Sequence, residues 1–366
     1  MQIKSDNQIV QQQLEFIANT VIEHGGTIHP ELIITHQAER LWISCSADVD
    51  GSALLIIPDE LFIPVTHLEW TSENGVLSYS GDNSSLSALQ QTLLNAMVSL
   101  YNTTGKIQLV AERFPAQLFL ADAELFAWLK EARPEFMLPK ESPARQFIST
   151  RLNEHSDHAQ KDEGSDEDQK PIGYLMPLID LLNHHPYGPK YQRTEQKAWL
   201  IALQKPNIGS DECFVRYNKA DSLNNALWHT YCETNTRCVA SVSCLLQHPE
   251  LGSVQIKGTN ASRNKVNAPR IMPNEPVLTI QDLVLEQEML PALRTLLGLT
   301  VRSKRRDLSQ LQAESIADEL IVLLVEANKI KYAKLLNLCQ KDTELFPLRT
   351  LFGQVASHQL ELLGRF

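Results

Sequence analysis

Pro177-Leu178-Ile179-Asp180-Leu181-Leu182-Asn183-His184-His185-Pro186 sets four hydrogen-bonding side chains into an otherwise apolar run. A spacing of three places Asp180 and Asn183 on one side of a helical turn, and the two prolines bound the segment. One reading is a site for a ligand with polar edges. The other is a capped helical turn with an exposed His pair. The rest of the chain has to decide between them.

A chain of 366 residues exceeds what one hydrophobic core organises, so two or three domains are expected. With 43% hydrophobic and 21% charged residues the composition is that of a folded globular protein. The formal charge of -11 argues against a general phosphate-binding surface and for protein partners over nucleic acid. Arg302-Ser303-Lys304-Arg305-Arg306 is an isolated basic run on an acidic chain and reads as a solvated helix end. The first residues lack a basic start and an apolar core of signal type, and no window has membrane-spanning length, so the expectation is a cytoplasmic protein with no membrane contact. The cysteines at 45, 213, 232, 238, 244 and 339 contain no CxxC pair, and the gaps around Cys232, Cys238 and Cys244 match no common zinc spacing. Buried thiols and a metal-free site are predicted.

Moving outward from the motif, Leu14, Ile17, Val21 and Ile22 recur at helical spacing before Gly25-Gly26, which predicts a helix over 9–24. Leu41-Trp42-Ile43 and Ala53-Leu54-Leu55-Ile56-Ile57 are β-favourable runs. Leu86, Leu89, Leu93, Met97 and Leu100 form a helical stripe, and 118–130 predicts one more helix, so the residues from 84 to 153 look helical. Glu154 to Lys170 holds seven acidic residues and no apolar side chain larger than Ala, as a solvated linker does. Strand-like runs return at 199–203, 213–217 and 239–246, and helical spacing is predicted from Pro276 onward. The fold class is therefore α+β. The domain reading is 1–80 for an N-terminal helix and the first part of a β-rich core, 81–153 for a helical insert, 154–170 for the linker, 171–258 for the second part of the core and 259–366 for an all-α C-terminal domain.

The second β block offers partners for the opening motif. Tyr217 closes a strand after Gly209-Ser210-Asp211-Glu212, a turn sequence. Asn224-Asn225-Ala226-Leu227-Trp228 starts a helix, and Tyr231 follows. Taken alone, each tyrosine is either an ordinary half-buried residue or part of a polar, aromatic pocket beside Asn183 and His184.

The order of these motifs resembles the SET-domain protein methyltransferases of the Rubisco large-subunit methyltransferase type, over nearly the whole chain. Phe16-Ile17 through Gly25-Gly26 is similar to that family's opening helix, and Leu54 to Leu61 to its strand exit. Ala144-Arg145-Gln146-Phe147 resembles its Ser-Arg-Ala-Phe helix. Pro177 to His184 matches the family's most specific motif almost residue for residue, and Glu212 to Tyr217 corresponds to the strand that ends in the catalytic tyrosine. The resemblance implies a SET core with a helical insert (iSET) and a helical C-terminal platform for a protein substrate.

It also implies transfer of a methyl group from S-adenosylmethionine to a protein lysine. The family's peptide and cofactor enter a narrow channel from opposite sides, which aligns the reacting atoms. A dry aromatic channel beside a sulfonium lowers the pKa of the attacking amine. By this resemblance Tyr217 is the catalytic residue, and Asn183, His184, Arg145, Asp180 and Leu41 bind or support the cofactor, with Arg145 on its carboxylate. Tyr231 lines the lysine channel. The chain departs from the family at three places: His36 to Trp42 lacks the Gly-x-Gly cofactor segment, Asn218 stands for the glycine after the tyrosine, and Tyr231-Cys232-Glu233 stands for Tyr-Gly-Phe. These departures keep an alternative open, a SET-like scaffold that binds a protein partner with weak catalysis or none. Oligomeric state and the substrate's identity are not written in the sequence.

Overall fold

Asn7 opens the first helix, Gln8–Glu23, by accepting the backbone N–H groups of Ile9 (2.9 Å) and Val10 (3.3 Å). Val10, Leu14, Ile17, Ala18 and Val21 form its buried stripe, and the chain leaves the helix at Gly25 with φ +82°. The predicted span is reproduced to within one residue at each end. The computed structural model describes residues 1–38, 40–45, 53–112, 115–138, 142–155, 172–189, 192–193, 198–202, 211–216, 220–258, 268–272 and 277–366. Helices and small sheets alternate through it, an α+β chain with a helical C-terminal region. No described helix is long and apolar enough to cross a membrane.

The chain divides into two units. The first is built from 1–112 and 140–217. In it Gln2–Ser5 runs parallel to Leu32–Gln37, which pairs antiparallel with Arg40–Cys45. A four-stranded sheet orders Gln192–Arg193, Ala198–Ala202, Ala53–Pro58 and Thr27–Ile28. Asn153–His155 pairs with Ile172–Leu175, so Glu154 and His155, read as linker, close a strand; the linker residues 156–170 lie outside the described residues. Leu14, Ile34, Ile43, Leu55, Ile57, Phe147 and Val215 belong to one buried cluster, which joins the first helix to the strands.

The hairpin between Leu32–Gln37 and Arg40–Cys45 is tight. Gln37 pairs with Arg40, leaving a two-residue loop, and its first member, Ala38, has φ +54°. Primed two-residue turns match the strand twist but place an L-residue in the left-handed region, where a Cβ crowds the backbone. The Asp6 carboxylate accepts the Ala38 N–H at 2.9 Å and holds the turn. Ala38→Gly is expected to stabilise the protein by about 0.5–1 kcal/mol, read as a higher denaturant midpoint; a lower midpoint would refute the strain.

The second unit comprises 113–139 and 218–366. The single helix predicted over 118–130 is two helices, Pro115–Ala121 and Ala123–Ala132, because Asp122 leaves helical geometry to cap the second through the Leu125 N–H (3.1 Å). The strand predicted over 239–246 is likewise divided, into Cys238–Ala240 and Cys244–His248. Between them Ser241, Val242 and Ser243 donate to Leu283 O, Asn328 Oδ1 and Ala132 O, so the chain switches sheets.

The helical pattern expected from Pro276 is corrected. Leu278–Gln281 and Val284–Glu286 are strands, and helices run only from Leu290, as Leu290–Lys304, Gln310–Cys339 and Pro347–Leu363. Leu278-Thr279-Ile280-Gln281 is buried on both faces, where a β-branched run packs well against neighbouring strands. Asp282, at φ +61°, turns the chain between the two strands. The six cysteines are free thiols. Burial pushes Cys232 and Cys244 up to about 11 and Cys238 and Cys339 up to about 12, which keeps them protonated at neutral pH.

Candidate functional site

The opening motif folds as a 3-10 turn, Ile179–Leu181, followed by a short strand, Asn183–His184. Leu178 enters the turn at φ +64°, and Leu182 leaves it extended at ψ 128°. This break corrects the shared helical face: Asp180 belongs to the turn and Asn183 to the strand, and they meet different partners. The exposed His pair is also corrected, since His184 and His185 are 9% and 2% exposed.

Asn183–His184 runs parallel to Phe214–Val215, with Asn183 opposite Phe214 and His184 opposite Val215. The His185 N–H extends the pairing to Val215 O (3.0 Å), and the Arg216 N–H reaches Pro189 O (2.9 Å). On its other side the same segment joins the first hairpin: Ser44 bridges Glu212, Cys45 donates to Asp211 O (3.0 Å) and Cys213 donates to Ile43 O (2.7 Å). Residues 211–216 are thus held between Arg40–Cys45 and Asn183–His184.

Glu212 sits in that seam. Its Oε1 accepts Asn183 Nδ2 at 2.6 Å and its Oε2 accepts Arg40 Nη2 at 2.8 Å. The Arg40 guanidinium lies 5.0 Å from the Trp42 ring centre. Leu41, between them in sequence, is 3% exposed and belongs to the core. Neither Arg40 nor Glu212 was among the predicted site residues. The signal was faint: both flank residues quoted for other reasons, and they lie 172 positions apart.

Asp180 is held by a second group. Tyr101 Oη donates to its carboxylate, and Arg151 and Lys106 supply nearby positive charge. Burial raises the Asp180 carboxyl and is opposed by the Tyr101 bond and the two cations. Burial, then the Arg151 charge, lowers the Lys106 ammonium to about 8. Arg151 stacks over Phe147 at 3.9 Å, and the Tyr101 and Phe147 rings meet edge to face at 5.2 Å. An acid inside an apolar run demands such partners, but Tyr101 lies 79 residues away.

His184 is neutral at physiological pH. Burial pushes its imidazole down to about 4, helped by His185 and Arg216 and opposed by a hydrogen bond to the Val215 backbone. An unfolded chain takes up this proton near pH 6.5 and the folded one only near 4, so stability carried by His184 is full above pH 6.5 and falls between 6.5 and 4. The loss is about 3 kcal/mol. Melting curves across this window should be less steep in pH for His184→Asn than for the parent, and identical slopes would exclude His184 as the group responsible.

The remaining predicted residues are distributed differently. Arg145 is exposed on the helix Pro143–Ser149, which packs on Glu69–Glu73 and Lys106–Glu112. Tyr217 and Asn218 lie outside the described residues. Tyr231 belongs to the second unit, its ring 6.2 Å from that of His229. Asn224 and Asn225 are buried in the first turn of Ser222–His229, which Asp221 caps through the Asn224 N–H (2.9 Å). Among the described residues no group of His, Cys, Asp and Glu is arranged to hold a metal ion.

No protein-family model matches the chain, and no curated protein matches it in sequence. Among solved structures, it is similar to the SET domain of LSMT bound to lysine and AdoHcy, at 13% identity and a TM-score of 0.37 over 97% of this chain and 90% of that one. A likeness at that level assigns no residue and no activity.

Proposed function

We propose that the chain is a SET-type methyltransferase that transfers a methyl group from S-adenosylmethionine to a lysine of a protein substrate in the cytoplasm. The observation that carries this reading is the parallel pairing of Asn183–His184 with Phe214–Val215. It brings the two most specific motifs of the sequence side by side. Bound S-adenosylmethionine supplies an electrophilic methyl group on a sulfonium.

The residues near the pairing suit a nucleoside with a polar tail. His184 presents an uncharged, buried ring, and Asn183 is half-buried with an amide at the strand end. Asp180, locked by Tyr101 and flanked by two cations, supports the turn that delivers them. The resemblance assigns Arg145 to the cofactor's carboxylate and Leu41 to its backbone contacts. Tyr217 orients the lysine amine by its hydroxyl, and its ring face favours a cationic transition state. The resemblance assigns Tyr231 to a lysine channel and the C-terminal helices to the binding of a protein substrate.

A second reading, a SET-like scaffold that binds a partner without turnover, is favoured by one observation. The segment in which the family carries glycines is here the tight hairpin with Ala38 at positive φ. Calorimetry with S-adenosylmethionine separates the two readings. Binding heat and a thermal shift that grows with cofactor concentration are expected for the enzyme. Their absence favours the scaffold. Tritium transfer from labelled cofactor into proteins of a cell extract, followed by mass spectrometry of the labelled band, then tests the acceptor.

A further inference from the structure

Around Asp180, Lys106 and Arg151 bring two positive charges to one carboxylate, and that carboxylate already accepts the Tyr101 hydroxyl. One positive charge is left unmatched. Burial, then the Arg151 charge, lowers the Lys106 ammonium to about 8 against the pull of Asp180, as befits a cation short of a counter-charge. Among the described residues that ammonium makes no hydrogen bond and no ion pair. As a purely structural device, an uncompensated charge in such a place only costs stability.

Arg151 is unsaturated in a directed way. Phe147 covers a face of its guanidinium at 3.9 Å and the Tyr101 ring lies 5.5 Å away, so its hydrogen bonds leave in the plane of the group. Nη1 donates to Thr150 Oγ1 at 3.1 Å. Nε is closed to bulk water and has no acceptor, and among the described residues Nη2 has none either. The Nε–Nη2 edge is the one that takes both oxygens of a carboxylate in parallel. Lys106, Arg151 and Asp180 are each half-buried, so the cluster borders on solvent, and all belong to the first unit.

We infer that Lys106 and Arg151 form a binding site for a small monocarboxylate, whose two oxygens meet the Nε–Nη2 edge of Arg151 while the Lys106 ammonium supplies the second charge. A single negative charge matches the excess. A dianion would place a further negative charge beside Asp180. Because Arg151 Nε is closed to bulk water, the ligand has the size of formate or acetate. The inference does not depend on the methyl-transfer reading.

Thermal unfolding with formate as the probe, against chloride at equal ionic strength, tests it. A saturable rise in unfolding temperature is expected with formate alone. Its apparent affinity should be about tenfold weaker at pH 9 than at pH 7, because the ammonium loses its proton above about 8. Lys106→Gln should weaken formate binding by about tenfold at pH 7 and remove this pH dependence. Arg151→Lys, which keeps the charge and removes the fork, should lose about tenfold and keep the pH dependence. Equal responses to formate and chloride in the parent, or an unchanged pH profile in Lys106→Gln, overturn the site. The parent comparison uses no substitution, so it decides the matter if a variant fails to fold.

Discussion

Tyr217→Phe is expected to lower methyl transfer by about 10²–10³-fold, with the dissociation constant for S-adenosylmethionine within about twofold of the parent. In the role proposed for it, the hydroxyl orients the amine as positive charge passes to it, an interaction that strengthens only toward the transition state. The ring, and with it the shape of the channel, is kept in phenylalanine. A loss of that size is therefore specific to the phenolic oxygen. Transfer by the variant at the parent's rate would remove Tyr217 from the reaction.

Asp122→Ala should cost about 3–5 kcal/mol of stability. Asp122 Oδ2 and Oδ1 accept the Arg349 Nε and Nη2 at 2.7 and 3.0 Å, a bidentate pair with both side chains almost fully buried. Truncation leaves the guanidinium with Glu124, itself 70% exposed, and with the carbonyls of Leu338 and Lys341. It also removes the cap of Ala123–Ala132. Urea denaturation of Asp122→Ala and of the double variant Asp122→Ala/Arg349→Met checks this. The second change should restore part of the loss by removing the stranded charge. A single-variant cost below about 1 kcal/mol would mean that the pair behaves as a surface ion pair. Burial pushes the Asp122 carboxyl up, but the Arg349 bond and charge together with the Leu125 and Glu124 backbone N–H groups outweigh it and hold the group below the usual carboxylate range. The contribution is thus complete above the ordinary aspartate pKa and lost as pH falls through the lower folded value.

The sequence made elements legible where one local period was unbroken. The first helix has a clean stripe and a glycine stop, and the runs at 41–43 and 53–57 lie within strands. Reading failed where a distant partner overrode the local signal. Asp122 divides what looks like one helix because Arg349 and the Leu125 N–H both claim its carboxylate. Leu278–Gln281 resembles the helical region that follows it, and becomes a strand because Gly252–Lys257 and Arg270–Met272 flank it. At the site, Asn183 and His184 stood out as polar residues in an apolar run. Arg40 and Glu212 did not, since a charged residue in a strand of ordinary composition carries no mark of the partner 172 positions away. Asp180 announced a need for partners without naming them: Tyr101, Lys106 and Arg151 come from helices and a helix end elsewhere in the chain.

Each unit is sewn from two stretches of chain, 1–112 with 140–217 and 113–139 with 218–366. On the ribosome the first cannot be completed until its latter stretch has emerged, and by then the helices of 115–132 are already made without their companions. Phe119 and Trp128, which end against Phe352 and Tyr332, must wait until those two residues have been made. No single cut can divide it into two halves that each hold a whole unit.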